Sequence, residues 1–155
     1  MSGTDQTVWF EDIDAGTTVN CGSTTVSKYE IVAFAEEFDP LAIHTDSEVA
    51  ATTQFEGIIA SGYHTLCLSV RLLVEEVRSK RAVVGGLGID DVTWQQPVRP
   101  GDTLNVKTEI LDTRPTESDL NKGVVHERVT VRNQHETTVL SYENYELISC
   151  WSSRD

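Results

Sequence analysis

Asp39 and His44 are the side chains whose types and spacing best suit acid–base chemistry, and they lie five residues apart. A glycine-flanked apolar turn follows at residues 57–62. The apolar residues after this turn have helical spacing, so the turn would lead into a helix N-terminus with unpaired backbone N–H groups. A carboxylate, an imidazole and such a donor are the groups needed to add water to a double bond conjugated to a carbonyl, or to remove it. No other stretch of the chain combines these three parts.

Two short helices are expected to position this pair. Ser27 and Glu30 form a capping-box pattern, in which each side chain accepts a hydrogen bond from the other residue's backbone N–H. The helix that follows must end near Pro40, because the residue before a proline disfavours the helical conformation. Asp39 would therefore lie at a helix end with its side chain free to project. A second short helix is predicted from residue 46 or 47 to residue 51.

A longer helix is predicted from about Gly62 to Arg78, followed by strands. Its apolar stripe, wide enough to lie across a sheet, consists of Leu66, Val70, Leu73 and Val77, widened by Cys67 and Val74. Residues 8–26 are expected to form short extended pieces. The strands predicted beyond the helix are residues 82–90, 92–95, 103–113, 124–133 and 137–149. This order predicts an α+β fold, and the length fits a single domain over residues 1–155.

The composition limits the partners of the chain. A net charge of −13 over 155 residues argues against nucleic acid, because phosphate binding depends on clustered lysines and arginines. No apolar run reaches the length of a membrane span, and the first residues lack the features of a signal peptide. The three cysteines, without a Cys-x-x-Cys spacing, predict free thiols. We therefore expect a soluble, cytoplasmic protein with neither a metal site nor a cofactor.

The combination of motifs resembles a known family. Asp39 with His44, the turn at 57–62 and the sequence Pro-Val-Arg-Pro-Gly-Asp at 97–102 are similar to the MaoC-like acyl dehydratases, which include the R-specific enoyl-CoA hydratases. The resemblance extends from about Ser27 to Asp102. It implies the hot-dog fold, in which an antiparallel sheet wraps one long helix, and it implies a homodimer.

The resemblance also implies a reaction. A trans-2-enoyl thioester of coenzyme A or of acyl carrier protein would be hydrated reversibly to the (R)-3-hydroxyacyl thioester. Asp39 and His44 would form the catalytic dyad. The N–H of Gly62 would polarise the thioester carbonyl, with Ser61 beside it in the substrate site. Taken singly, each of these residues also has a structural interpretation as a helix-end, loop or turn residue.

Other functions remain open at this point. Leu41 and Ala42 stand where the commoner family pattern has an asparagine and a proline, so a polar group near the dyad is missing. A hot-dog thioesterase would instead use an acidic residue near the long helix. Glu56 fits that role, whereas Glu75 and Glu76 lie too far along the helix. A third alternative is an acyl-binding subunit without turnover.

The remaining candidates are assigned structural roles. His64 is expected to be a packing or capping residue near the start of the long helix. Arg78, Lys80 and Arg81 form a basic patch at its end. We expect them to complement the helix dipole, with a contact to coenzyme A phosphates as a second hypothesis.

Overall fold

The helices and strands follow the predicted order. A computed structural model describes residues 6–154 of the chain. Its helices are α1 (Lys28–Phe38), α2 (Ala42–Thr45), α3 (Ser47–Ala51) and α4 (Gly62–Glu76). Its strands are β1 (Thr18–Thr25), β2 (Val83–Trp94), β3 (Thr103–Pro115), β4 (Lys122–Arg132) and β5 (Thr138–Ser149). Single 3-10 turns lie at Phe10–Asp12, Arg78–Lys80 and Trp151–Arg154.

The five strands form one antiparallel sheet in the order β1-β3-β4-β5-β2. Helix α4 packs on one face of this sheet, where apolar side chains alternate along the strands. This core includes Leu68, Leu72, Leu104, Val106, Val129, Val131 and Leu140. The arrangement is the hot-dog fold and confirms the α+β prediction. Within residues 6–154, none of the helices is long and apolar enough to cross a membrane.

Strand β2, at one edge of the sheet, differs from the two separate strands predicted. It runs unbroken from Val83 to Trp94, but its register against β5 shifts between Asp90 and Thr93. Asp91, inside the shift, has a φ of 53°. Such a bulge interrupts the alternation of polar and apolar residues. The alternation of polar and apolar residues therefore predicts two strands, whereas the backbone continues as one strand through the bulge.

Helix α1 begins and ends where predicted. Glu30 N donates to Ser27 Oγ at 3.1 Å, and Ser27 N donates to the Glu30 carboxylate at 3.2 Å, which completes the capping box. Asp39 is the C-terminal cap of this helix. The sequence does not predict helix α2, because a single turn is too short to show a helical period. This turn carries His44.

The buried face of α4 is rotated from the predicted stripe. The helix buries Thr65, Leu68, Ser69, Leu72 and Leu73, and it exposes Cys67 and Val74. Ser69 Oγ donates to Leu66 O at 2.7 Å and lies 2.8 Å from the Tyr142 hydroxyl. Because these bonds satisfy it, the serine is buried without loss of hydrogen bonding. Apolar periodicity alone does not identify a buried helix face that includes polar residues such as Ser69.

Two arginines just after α4 turn toward the sheet. Arg81 Nη1 lies 3.2 Å from Glu127 of β4 and 3.2 Å from Glu146 of β5. Arg78 Nε pairs with the other oxygen of Glu146, and Thr108 donates to Glu127 at 2.9 Å. Burial raises the pKa of Glu146, while the two arginines oppose that rise.

The second hypothesis, a contact of Arg78 and Arg81 with coenzyme A phosphates, is therefore wrong for these two residues. Both neutralise internal carboxylates that come from distant strands. They also lie at the opposite end of α4 from Gly62, about 22 Å away at 1.5 Å per residue. Lys80 alone of the three is exposed, and it pairs with Glu76 at 3.7 Å.

Replacing Arg81 should show how much this cluster contributes to stability. Arg81→Met leaves two buried carboxylates with fewer partners, so we expect the free energy of unfolding to fall by about 3–5 kcal/mol. The matched control is Lys80→Met, which removes only an exposed pair and should cost less than about 1 kcal/mol. Chemical denaturation measures both. Equal losses in the two variants would contradict a structural role for the cluster.

His64 packs between α1 and α4, as expected from sequence. Its ring stacks on Phe34 with centroids 4.7 Å apart and planes 10° from parallel. The side chain is buried, and within the described part of the chain its Nδ1 has no hydrogen-bond partner. Burial lowers the pKa of His64; Glu30 opposes this shift and Arg71 adds to it.

Stability should therefore fall on acidification, in part through His64. A histidine in an unfolded chain titrates near about 6.5. As the pH falls through that value, the unfolded state binds a proton that folded His64 does not yet accept, so the free energy of unfolding decreases. His64→Leu removes this contribution, and its free energy of unfolding should depend less steeply on pH between about 7 and 5. Identical slopes for variant and wild type in denaturation series would contradict this assignment.

Candidate active site

The fold brings Asp39 and His44 together. Asp39 caps the end of α1, and His44 lies in the single turn of α2. His44 Nε2 lies 3.4 Å from Asp39 Oδ2. The imidazole is buried, whereas the Asp39 side chain retains 20% exposure. The pair therefore joins a shielded base to a carboxylate that water can reach.

A backbone carbonyl fixes the orientation of the imidazole. His44 Nδ1 lies 2.7 Å from the carbonyl oxygen of Ile59. A carbonyl only accepts hydrogen bonds, so Nδ1 carries the proton. In the neutral ring, Nε2 then has the lone pair, and this is the nitrogen that faces Asp39. The contact selects the tautomer in which Nε2 can accept a proton.

The segment that supplies this carbonyl, residues 58–61, is held by backbone hydrogen bonds to two other parts of the chain. Ile59 N donates to Ile43 O of α2 at 3.2 Å, and Ala60 N donates to Val98 O at 2.8 Å. The segment thus holds α2 to the chain that precedes β3. The glycine-flanked turn at residues 57–62 therefore has two effects. It places Ile59 O beside His44, and it leads into the N-terminus of α4.

The motif at 97–102 has a supporting role. Gly101 has a φ of 87°, which favours glycine, and its N–H donates to Val26 O at 2.7 Å. Val26 N in turn donates to Asp102 O at 2.9 Å, and the Asp102 side chain accepts from Arg99 N at 2.9 Å. The turn therefore ties the residue before the cap of α1 to the loop whose Val98 holds the 58–61 segment.

Ser61 joins the acid to the long helix. It is fully buried and caps α4 by accepting a hydrogen bond from Tyr63 N at 3.3 Å. Its hydroxyl donates to Asp39 Oδ2 at 2.7 Å. The same Asp39 oxygen thus contacts both Ser61 and His44.

Gly62 begins α4 with an unoccupied donor. Within the described residues, its N–H makes no hydrogen bond. Trp94, the last residue of β2, donates from its indole Nε1 to Gly62 O at 2.9 Å. The ring lies so close that a Cβ at Gly62 would stand 2.5 Å from Trp94 Cε2. Only glycine fits at this position without moving the tryptophan.

A cavity of about 440 Å³ lies beside these residues. Its walls are His44, Phe55, Ile59, Ala60, Gly62, Tyr63, Thr65, Trp94, Gln95, Gln96, Pro97 and Val98. Of the four site residues expected from sequence, His44 and Gly62 are part of this wall. Asp39 and Ser61 are not; Asp39 lies against His44 Nε2, and Ser61 donates to Asp39.

Among the residues of the cavity wall that sequence reasoning did not single out are Thr65 and Trp94. Thr65 lies three residues after Gly62, so the helical repeat could have placed it on the same face. Nothing in the sequence around Trp94 predicts a place in the site, because its contact with Gly62 depends on how β2 pairs with β5.

The other candidates lie outside the wall. Glu56 is exposed in the turn before residue 57, and Glu75 and Glu76 are exposed at the far end of α4. Leu41 and Ala42 are also exposed.

Comparison with known proteins agrees with this architecture. The uncharacterized protein YdeM of Bacillus subtilis (strain 168) is 36% identical over 86% of this chain and 93% of its own length. The crystal structure of a MaoC-like dehydratase from Rhodospirillum rubrum is 30% identical, with a TM-score of 0.82 over 92% of this chain and 97% of that one. An R-hydratase from Pseudomonas aeruginosa shares the fold at 24% identity, with a TM-score of 0.74 over 94% of this chain and 87% of that one.

The family model "MaoC like domain" matches residues 13–133, which include every site residue described above. The match includes every element from β1 to the end of β4, and with them the whole segment at residues 58–61. The chain belongs to the MaoC-like domain family.

Proposed function

We propose that this protein reversibly adds water to a trans-2-enoyl thioester, forming the (R)-3-hydroxyacyl thioester. The observation that carries the proposal is the His44 tautomer. Its Nδ1 is held by Ile59 O, which leaves Nε2, the nitrogen beside Asp39, as the proton acceptor of a residue that lines an apolar cavity. The free N–H of Gly62 is on the same wall. A base and an oxyanion donor thus face one substrate-sized space.

Each of the four site residues has a role in the proposed reaction. His44 Nε2 takes a proton from water as the hydroxyl oxygen bonds to C3 of the enoyl chain. The C2–C3 double bond opens, and negative charge develops on the thioester oxygen, where Gly62 N–H stabilises it. Asp39 orients the water, stabilises the imidazolium and assists return of the proton to C2. Ser61 holds the Asp39 carboxylate in place. Dehydration is the same sequence in reverse.

Thioester hydrolysis is the second candidate, and the cavity disfavours it. Within residues 6–154, no aspartate or glutamate is among the residues of the cavity wall. Glu56, the carboxylate that the thioesterase hypothesis requires, is exposed outside it. The acid nearest the cavity is Asp39, and it is engaged with His44 and Ser61.

The proposed substrate is a thioester of coenzyme A or of acyl carrier protein, in the cytoplasm. The mainly apolar wall suits an acyl chain. The net charge of −13 means that an anionic carrier must be recognised locally. Within the described residues, none of Cys21, Cys67 and Cys150 forms a disulfide, which suits a reducing compartment.

Removing the dyad should abolish hydration without unfolding the protein. Asp39→Asn and His44→Ala should each lower kcat by about 100- to 10,000-fold, because proton transfer is lost. Loss of enoyl-thioester absorbance with crotonyl-CoA measures the rate. The matched control is Asp46→Asn, which changes the cap of α3 by the same substitution outside the cavity wall and should keep wild-type activity.

Two results would contradict the proposed hydration. One is hydration by the Asp39→Asn, His44→Ala double variant at the wild-type rate. The other is release of free thiol from crotonyl-CoA, detected with a thiol reagent, without loss of the double bond in the product. Tight binding of crotonyl-CoA with neither reaction would instead favour a non-catalytic acyl-binding subunit.

We further propose that two copies of the chain pair along β2. This edge strand pairs with β5 on one side only, and unpaired edges are templates for another strand. It exposes large apolar side chains: Val83, Val84, Leu87, Ile89 and Trp94. Trp94 contacts Gly62 as well, so the proposed interface borders the cavity.

A charge at this edge should separate the copies. Wild-type protein is expected to sediment at twice the mass of one chain, and Leu87→Lys at the mass of one, because a lysine resists burial between strands. Leu120→Lys is the matched control: Leu120 is 80% exposed in the β3–β4 loop, away from the edge. A dimer that survives Leu87→Lys, or a monomeric wild type, would contradict pairing along β2.

A further inference from the structure

Thr65 is a buried residue whose hydroxyl makes no hydrogen bond within the part of the chain that the structure describes. The residue is 2% exposed and is part of the cavity wall. Within the described residues, its Oγ makes no hydrogen bond, although a helical threonine commonly donates to the carbonyl three or four residues earlier. Thr45, Ser69 and Ser79 all make such bonds within this protein. Thr65 is therefore an exception among hydroxyls that have a carbonyl within reach.

The helix directs this hydroxyl toward the site. Side chains of an α-helix lean toward its N-terminus, so residue i+3 lies over residue i on the same face. Thr65 is residue i+3 to Gly62, whose N–H is also unoccupied. Both residues, together with His44, are part of one cavity wall. Two unused donors thus stand on adjacent turns facing the same space.

The neighbouring donors are already committed. Trp94 Nε1 donates to Gly62 O at 2.9 Å, and Gln95 Nε2 donates to Ser141 Oγ at 2.6 Å. His44 Nδ1 is held by Ile59 O. Within the described residues, the Gly62 N–H and the Thr65 hydroxyl are two donors of the wall that make no hydrogen bond and are left for a ligand.

We propose that the Thr65 hydroxyl is a second hydrogen-bond donor to the thioester oxygen, acting beside Gly62 N–H. The inference rests on the proposed hydration. As C3 gains the hydroxyl oxygen, electrons of the double bond move to the thioester oxygen, and both donors stabilise that charge. Thr65 transfers no proton, because the water proton passes to His44 and returns to C2. A donor preorganised for the oxyanion lowers the barrier without requiring tighter binding of the substrate.

Carbonyl polarisation can be read directly with a chromophoric thioester. In an Asp39→Asn background, which slows turnover, bound cinnamoyl-CoA should absorb at longer wavelength than free cinnamoyl-CoA. Adding Thr65→Val, which keeps the shape but removes the hydroxyl, should shrink this red shift, and Thr65→Ser should retain it. Ser69→Ala is the matched control: it removes a hydroxyl from the same helix face outside the cavity wall, and the red shift should not change.

Kinetics with crotonyl-CoA provide the second readout. Thr65→Val should lower kcat by about 100-fold with little change in KM, as expected for loss of one oxyanion donor. Thr65→Ala gives the same test if the valine variant does not fold. A full red shift and wild-type kcat in either folded variant would overturn the role of Thr65 while leaving the proposed function intact. A wild-type protein that hydrates no enoyl thioester would overturn both.

Discussion

The extended segment at residues 58–61 is fixed by four hydrogen bonds on which the geometry of the candidate site depends. Its backbone bonds to Ile43 and Val98 hold it between α2 and the loop before β3. Ile59 O orients His44, and the Ser61 hydroxyl holds Asp39. The base, the acid and the start of α4 are therefore positioned relative to one short piece of chain. Removal of any one bond would alter the distances among the others.

This dependence explains how the site tolerates Leu41 and Ala42. The commoner family pattern has a polar residue and a proline there, which suggested a missing contact to the dyad. In this structure both side chains are exposed, and the imidazole is held by Ile59 O. The orientation of His44 thus depends on backbone hydrogen bonding from another segment. Neither Leu41 nor Ala42 is among the residues of the cavity wall.

The features that sequence could predict are the local ones. The capping box at Ser27, the end of α1 near Pro40 and the start of α4 at Gly62 each depend on residues a few positions apart. The positions of Arg78 and Arg81 could not be predicted this way. Their partners Glu127 and Glu146 are 46 and 65 residues from Arg81 and come from neighbouring strands. The same holds for Trp94, whose contact with Gly62 spans 32 residues. The Asp39–His44 pairing was expected from family resemblance, whereas its geometry required the fold.

Ser61 combines two functions that are usually selected separately. Asparagine and aspartate cap helices as well as serine does. At this position an aspartate would place a second carboxylate against Asp39, and a hydroxyl both accepts from Tyr63 N and donates to Asp39 through one atom. A substitution that keeps the cap of α4 can therefore still remove the hydroxyl that donates to Asp39. The side chain at the N-cap is constrained by that contact as well as by the stability of the helix.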